Sequence, residues 1–171
     1  ILGAGAWGTA LAVALAPRHT VCLWARDAAQ AAQMAGQREN TRYLPDCRLP
    51  DALQVSADLK HALTAADLLI LAVPLAGLRH VLKQINEINA ALPFLWLCKG
   101  LEAGSGLLPH QVVHQVMGGA ATCGALTGPS FALEVARGLP TALTLAATDA
   151  AFATRTAQAL HGGNLRIYAN D

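Results

Sequence analysis

Three short stretches of this sequence hold residue types at spacings that suit the binding of anions. In Ile1-Leu2-Gly3-Ala4-Gly5-Ala6-Trp7-Gly8 the pattern G-x-G-x-x-G falls between an apolar strand end and a helix-like run. Each glycine has a physical job in such a turn. Gly3 permits the tight turn, Gly5 lets backbone approach a pyrophosphate, and Gly8 lets helix and strand pack closely. The helix start at residues 7–9 then aims free backbone N–H groups at phosphate. Lys99 directly follows the apolar run 94–98, at the carboxyl edge where open α/β sheets take ligands. Its charge there meets either a bound anion or plain solvent. Gly128-Pro129-Ser130 sits at a strand-to-helix turn, where backbone N–H groups and a hydroxyl can hold an anion, although a simple helix N-cap explains Ser130 equally well.

The corner after the second strand, Arg26-Asp27, reads the identity of a dinucleotide. An acidic residue there bonds ribose hydroxyls, whereas an arginine accepts a 2′-phosphate. Asp27 also suits the N-cap of the next helix, with Gln30 three residues on as a capping-box partner. Arg26 is either the phosphate reader or a solvated charge. The cofactor expected is NADP or NAD, with NADPH accepted on the strength of Arg26.

Other constellations are weaker. His110 and His114 share a helix face, but no carboxylate lies between them in an H-E-x-x-H pattern, so a solvated face is expected and no metal site. Cys22, Cys47, Cys98 and Cys123 form no C-x-x-C pair and read as buried, reduced thiols of a cytoplasmic protein. With 54% hydrophobic residues, 13% charged residues and a net charge of +1, nothing favours a nucleic-acid or membrane-surface partner. No apolar run approaches the ~18 residues of a membrane span.

Positioning these residues requires an alternation of strands and helices. Strand-like stretches at 20–25, 53–55, 67–73, 94–98, 122–127, 141–146 and 165–168 alternate with helix-like ones at 7–16, 27–38, 56–66, 75–89, 107–117, 130–137 and 149–161. Ser56 is expected to cap the third helix, and residues 40–50, with two prolines, read as loop. The pattern predicts one α/β domain: a Rossmann-like, doubly wound, mainly parallel sheet with helices on both faces.

Taken jointly, several stretches resemble NAD(P)-dependent glycerol-3-phosphate dehydrogenase of the bacterial type. They are the turn running on into Thr9-Ala10-Leu11-Ala12, Lys99-Gly100-Leu101-Glu102 after a strand, and Thr127-Gly128-Pro129-Ser130-Phe131-Ala132-Leu133-Glu134 continuing to Gly138-Leu139-Pro140-Thr141-Ala142. Tyr43-Leu44-Pro45-Asp46 and Val73-Pro74 also fall where the family has them. The resemblance implies a reaction, hydride transfer between a nicotinamide cofactor and the dihydroxyacetone phosphate/sn-glycerol 3-phosphate pair. It implies that Lys99 contacts both substrate and cofactor, that Gly128 and Ser130 bind the small phosphorylated substrate, and that Ala6, Trp7, Tyr43, Pro74 and Ala132 lie along the cofactor beside Gly3, Gly5, Gly8 and Arg26. Position 6 is Ala where the family often has Ser, a minor departure if only backbone faces the phosphates. Ser130 keeps the hydroxyl of the usual Thr. Pro74 is equally explained as a strand stop.

Residues 1–171 are therefore expected to be a cofactor-binding domain cut from a longer protein. Ile1 is not a start methionine, and no element closes the strand before Asp171. The resemblance places the general acid/base lysine in a helical domain beyond Asp171, so no catalytic residue is expected in this chain. The intact protein is a candidate homodimer. Two other readings stay open: another two-domain dehydrogenase of the hydroxyacid or ketopantoate type, and a non-catalytic NAD(P)-sensing module.

Overall fold

The computed structural model describes residues 1–170; Asp171, where the sequence reading put the chain's cut end, lies outside the described residues. In chain order the elements begin with α1 (Ala6–Leu15), β1 (Cys22–Trp24), α2 (Ala28–Gln37), β2 (Glu39–Asn40) and β3 (Leu44–Arg48). They continue with β4 (Gln54–Ser56), α3 (Leu59–Thr64), β5 (Leu69–Leu71), α4 (Leu75–Asn89) and β6 (Phe94–Trp96). Then follow α5 (Pro109–Met117), β7 (Cys123–Thr127), α6 (Ala132–Ala136), β8 (Thr141–Ala146), α7 (Ala150–Leu160) and β9 (Leu165–Asn170).

Ile1 and Leu2 act as the missing first strand. Leu2 bridges Trp24 on one side and Leu71 on the other, both in parallel. The sheet therefore runs β4-β1-Leu2-β5-β6-β7-β8-β9. Pairing is parallel except between β7 and β8, which run antiparallel. The order in which the chain fills the sheet reverses at Leu2, and such a switch point opens a crevice at the carboxyl ends of the strands.

Alternation along the central strands feeds two cores. Leu69, Leu71 and Phe94 face one way, into a core with Leu63 of α3, Leu78, Leu82 and Ile85 of α4, and Val112 of α5. Ile70 and Leu95 face the other way, toward Leu11 of α1, Met34 of α2, Val135 of α6 and Phe152 of α7. Strands buried on both faces need apolar residues at every position, which is why 68–73 reads as an unbroken apolar run. In α4 the buried residues Leu75, Leu78, Val81, Leu82 and Ile85 recur at helical spacing, and each contributes roughly 1.5–3 kcal/mol by leaving water.

Some details depart from the sequence reading. Residues 40–50 are not plain loop: β2 and β3 pair antiparallel with an irregular register, anchored by buried Leu44, Cys47 and Leu49. Pro45 sits exposed on this short edge pair, where a missing N–H costs little. Asp46 takes a left-handed φ of 61°, and its N–H donates to Glu39 Oε1 at 3.0 Å. Asp58, not Ser56, caps α3, accepting the His61 N–H at 3.1 Å, while Ser56 Oγ accepts from the Asp58 N–H at 3.0 Å. The helix expected from Ser130 begins at Ala132, and no side chain caps it. All four cysteines are free, but only Cys47 is buried; the other three are half-buried.

Two glycines of the first turn are demanded by packing. Gly3 has φ +116°, and a Cβ there would stand 2.8 Å from the backbone carbonyl of Ala72. A Cβ on Gly8 would overlap the Gly3 carbonyl oxygen and come within 2.9 Å of Ala72 Cβ. At Gly5 a Cβ would meet nothing within 4 Å. Gly8→Ala should therefore destabilise the chain by about 1–3 kcal/mol, the usual cost of overpacking, while Gly5→Ala leaves stability nearly unchanged. Thermal or urea unfolding of the two variants checks this; equal stability would show that the turn can relax.

Candidate functional site

The crevice at the switch point is a cleft of about 1020 Å³, lined by all three stretches picked out in the sequence. Gly3, Gly5, Ala6, Trp7, Arg26, Tyr43, Pro74, Lys99, Gly128 and Ser130 all border it. Gly8 does not; it is buried behind the turn. Ala132 lies instead in a shallower hollow, which shares Ala6 and Tyr43 with the cleft and adds Phe131 and Arg137.

The glycine turn forms one wall. Gly5 precedes α1 in extended conformation, with φ −79° and ψ −175°, and Thr9 N–H is the first to bond back, to the Gly5 carbonyl at 3.0 Å. The N–H groups of Ala6, Trp7 and Gly8 thus precede the first helical bond and point out of the helix end. Beside them the space at Gly5 is open, so a ligand's phosphates can approach the backbone closely. Ala6 is partly exposed in the cleft wall without bearing a hydroxyl, so its contribution is its backbone.

A polar network that local sequence patterns did not disclose holds this turn. The Ala4 carbonyl accepts from Gln30 Nε2 at 2.9 Å and from Asn40 Nδ2 at 3.0 Å. Asn40 also donates to Thr9 Oγ1 at 2.7 Å, and both side chains are buried. Gln30 therefore does not complete the expected capping box; it ties α2 to the turn. Asp27 does cap α2, its Oδ1 accepting from Ala29 N–H at 2.9 Å and Gln30 N–H at 3.4 Å. Asn40 gave no signal, because its partners lie 31 and 36 residues away.

The far wall carries Lys99 and the turn at Gly128. Lys99 is exposed and stands three residues past the end of β6, following Leu97 and Cys98 along the cleft edge. Burial pushes the Cys98 thiol up to about 11, so it is a neutral wall residue near pH 7. Gly128 has a reason of its own to lack a side chain: a Cβ would meet the Ala142 carbonyl oxygen of β8 at 2.6 Å. The Ser130 hydroxyl, partly exposed, faces the Gly128 carbonyl at a long 3.5 Å, a contact weak enough to be exchanged for a ligand.

The loop that carries Lys99 is pinned by an ion pair. Arg79 of α4 donates from Nε to Glu102 Oε1 at 2.9 Å and from Nη2 to Oε2 at 2.8 Å. Ser105 Oγ donates to the same carboxylate at 2.6 Å, and Arg79 Nη2 also reaches Gln115 Oε1 of α5. Such a bidentate, charge-assisted pair fixes geometry more tightly than a lysine could. Glu102 was legible only as part of a motif, with no role attached.

The remaining candidates fall outside the cleft or change its charge. His110 and His114 are exposed on α5, and among the described residues no group of three His, Cys, Asp or Glu gathers as a metal site. Arg42, unnoticed in the sequence, lines the cleft with its guanidinium 5.0 Å above the Tyr43 ring. The cleft thus presents Arg26, Arg42 and Lys99 against one carboxylate, Asp27, whose orientation the helix cap already sets. It is built for an elongated polyanion.

Residues 1–153 match a family described as the N-terminus of NAD-dependent glycerol-3-phosphate dehydrogenase. A glycerol-3-phosphate dehydrogenase [NAD(P)+] of Aromatoleum aromaticum is 55% identical over 170 residues, covering 99% of this chain and 52% of that protein. Its counterpart from Dechloromonas aromatica is 52% identical over 171 residues, covering 100% and 52%. The crystal structure of glycerol-3-phosphate dehydrogenase from Coxiella burnetii superposes with a TM-score of 0.91 at 37% identity, covering 99% of this chain and 52% of that one. A pyrroline-5-carboxylate reductase from the same organism shares the fold alone, at 13% identity and a TM-score of 0.70. The chain spans about half the length of the curated relatives it matches.

The grip on Glu102 has a pH signature. The Arg79 hydrogen bonds, then that of Ser105, hold the Glu102 carboxyl down at about 2 against an ordinary 4.5. A carboxyl depressed by folding contributes stability above its unfolded value and loses it as pH falls through the folded one. The pair's contribution to stability should therefore be complete above about pH 4.5 and fade as pH falls from there to about 2, where the folded chain's own Glu102 takes up its proton. A carbon-13 NMR titration should find the Glu102 carboxyl near 2, and in the ordinary range after Arg79→Met. An unshifted wild-type value would show that the pair is not formed in solution.

Proposed function

The chain belongs to the glycerol-3-phosphate dehydrogenase family, as its NAD-dependent N-terminal part, and from that premise we propose that residues 1–171 form the cofactor-binding domain of an enzyme interconverting dihydroxyacetone phosphate and sn-glycerol 3-phosphate. The observation that carries the proposal is the single cleft that joins the glycine turn to Lys99 and the Gly128–Ser130 turn across the switch point. Membership of the family argues against a hydroxyacid or ketopantoate reductase. A sensing module has no feature of the cleft in its favour, since a sensor needs no cation at the substrate end.

The residues present fit a dinucleotide. Open space at Gly5 and free N–H groups at the start of α1 suit a pyrophosphate, and Trp7 and Tyr43 flank that position. Arg26, two residues past β1, stands where the adenosine ribose is read and suits a 2′-phosphate. Pro74 closes β5 at the opposite lip, and Ala132 borders the adjoining hollow. When bound, the nicotinamide supplies or accepts the hydride.

The protein's own part is charge and placement. The Lys99 ammonium is suited to hold a substrate phosphate and the negative charge that builds on the carbonyl oxygen during reduction. The Gly128 backbone and the Ser130 hydroxyl are suited to the same small phosphorylated molecule. The other lysines, Lys60 and Lys83, are exposed and do not border the cleft. Neither reaches the site as the lysine that the family resemblance calls for, and we propose that this chain binds cofactor without turning over substrate. We extend to the intact protein a cytoplasmic location, which the unpaired cysteines support, and homodimerisation.

Isothermal titration with NADPH and NADH tests the binding half. Gly5→Ala should weaken both cofactors by at least about tenfold, because its methyl group fills the approach to the backbone. Arg26→Ala should weaken NADPH and spare NADH; comparable NADPH affinity after that change would remove Arg26 from the reading. Steady oxidation of NADPH by the purified chain, dependent on dihydroxyacetone phosphate, would refute the claim that it is inactive alone.

A further inference from the structure

We propose that Arg42 is a second reader of the NADPH 2′-phosphate, so that cofactor choice is set by two guanidiniums from separate segments. The inference rests on the cofactor-binding reading above. Both Arg26 and Arg42 line the cleft and are exposed within it. Among the described residues neither has a hydrogen-bonded or ionic partner, whereas Arg18, Arg38, Arg48, Arg79 and Arg166 each hold a carbonyl or carboxylate; Arg137 and Arg155 also lack one but do not border the cleft. Two unpaired guanidiniums at one cleft are an electrostatic cost to the empty protein that a dianion relieves.

The fold ties the segment before Arg42 to α2, the helix that opens after Arg26. The Ala4 carbonyl takes one hydrogen bond from Gln30, four residues past Arg26, and another from Asn40, two residues before Arg42. Gln33 of α2 donates to Thr41 Oγ1 at 2.7 Å, adding a second stitch between the helix that opens after Arg26 and the segment that ends in Arg42. The segment is thus held against α2 and the glycine turn by its polar side chains, while the Arg42 guanidinium itself is left for other work.

Orientation and charge point the same way. Arg42 Cζ lies 5.0 Å from the Tyr43 ring centroid, a cation–π contact that uses none of the guanidinium N–H donors. That planar fork matches phosphate oxygens bidentately, which is the reason arginine is preferred over lysine for such contacts. The competing feature, a carboxylate presented to the ribose diol, is compromised because Asp27 caps α2. A phosphate monoester carries about −1.5 to −2 charges at neutral pH, which two guanidiniums match.

The test separates this from a contact with the pyrophosphate that both cofactors share. Wild type, Arg42→Gln and Arg42→Lys are titrated calorimetrically with NADPH, NADH, adenosine 2′,5′-bisphosphate and adenosine 5′-monophosphate. Circular dichroism melts confirm that the exposed substitution leaves the fold intact. Arg42→Gln should weaken NADPH and the bisphosphate by at least about tenfold, the loss of one charge-assisted hydrogen bond, and leave NADH and the monophosphate within about twofold. Arg42→Lys should recover part of the loss. Equal weakening of NADPH and NADH would assign Arg42 to the pyrophosphate and overturn the proposal, as would no change in either. If wild type bound neither dinucleotide, the cofactor reading itself would fail, a result distinct from both.

Discussion

Leu2 is paired on both sides at once. Its N–H donates to the Ile70 carbonyl and its carbonyl accepts from the Ala72 N–H, each at 2.8 Å, while Trp24 N–H reaches the Ile1 carbonyl and Gly3 N–H the Trp24 carbonyl. These bonds join the β1–β4 half of the sheet to the β5–β9 half. The order of the sheet reverses there, so the connections after β1 and after β5 leave in different directions and a crevice opens between them. The glycine turn follows at once, because the chain must leave the sheet beside Ala72 with no room for a side chain at Gly3 or Gly8. Cleft, turn and helix N-terminus all meet at this join.

This explains why the nucleotide half of the site was legible in the sequence. Strand end, glycine spacing and helix start are contiguous, and each states a local steric requirement. The two-faced burial of the strands was legible for a similar reason: a run such as Leu68 to Val73, apolar at every position, has few uses other than a central parallel strand. The hairpin at residues 39–48 was not legible. Its strands are short, Pro45 and Pro50 look like breakers, and what fixes it is the burial of Leu44, Cys47 and Leu49 by the rest of the fold.

The residues that hold the site in shape were the least visible. Asn40 acts across 31 and 36 residues, and Arg79 meets Glu102 across 23. No spacing rule reports such partners, since they become neighbours only after the crossovers of the sheet have formed. Gln30 shows the opposite error. A local capping pattern was present and gave a sensible role, yet the tertiary bond to Ala4 took the side chain instead. Local signals compete with long-range ones, and here the half-buried amide goes to a carbonyl 26 residues away.

The glycines also divide by cause, and the division bears on how the motif should be understood. Gly3 and Gly8 answer to Ala72, and Gly128 answers to β8; all three would be required in a protein that bound nothing. Of the four, Gly5 alone has no such steric reason, since a methyl group there meets open space. That space lies beside the unpaired N–H groups at the start of α1, where it suits the close approach of a ligand. The same logic applies to charge: Arg79 has its carboxylate, whereas Arg26 and Arg42 have none among the described residues. The open space at Gly5 and the unpaired guanidiniums of Arg26 and Arg42 are what the proposed dinucleotide would fill, its pyrophosphate at the first and a 2′-phosphate at the second.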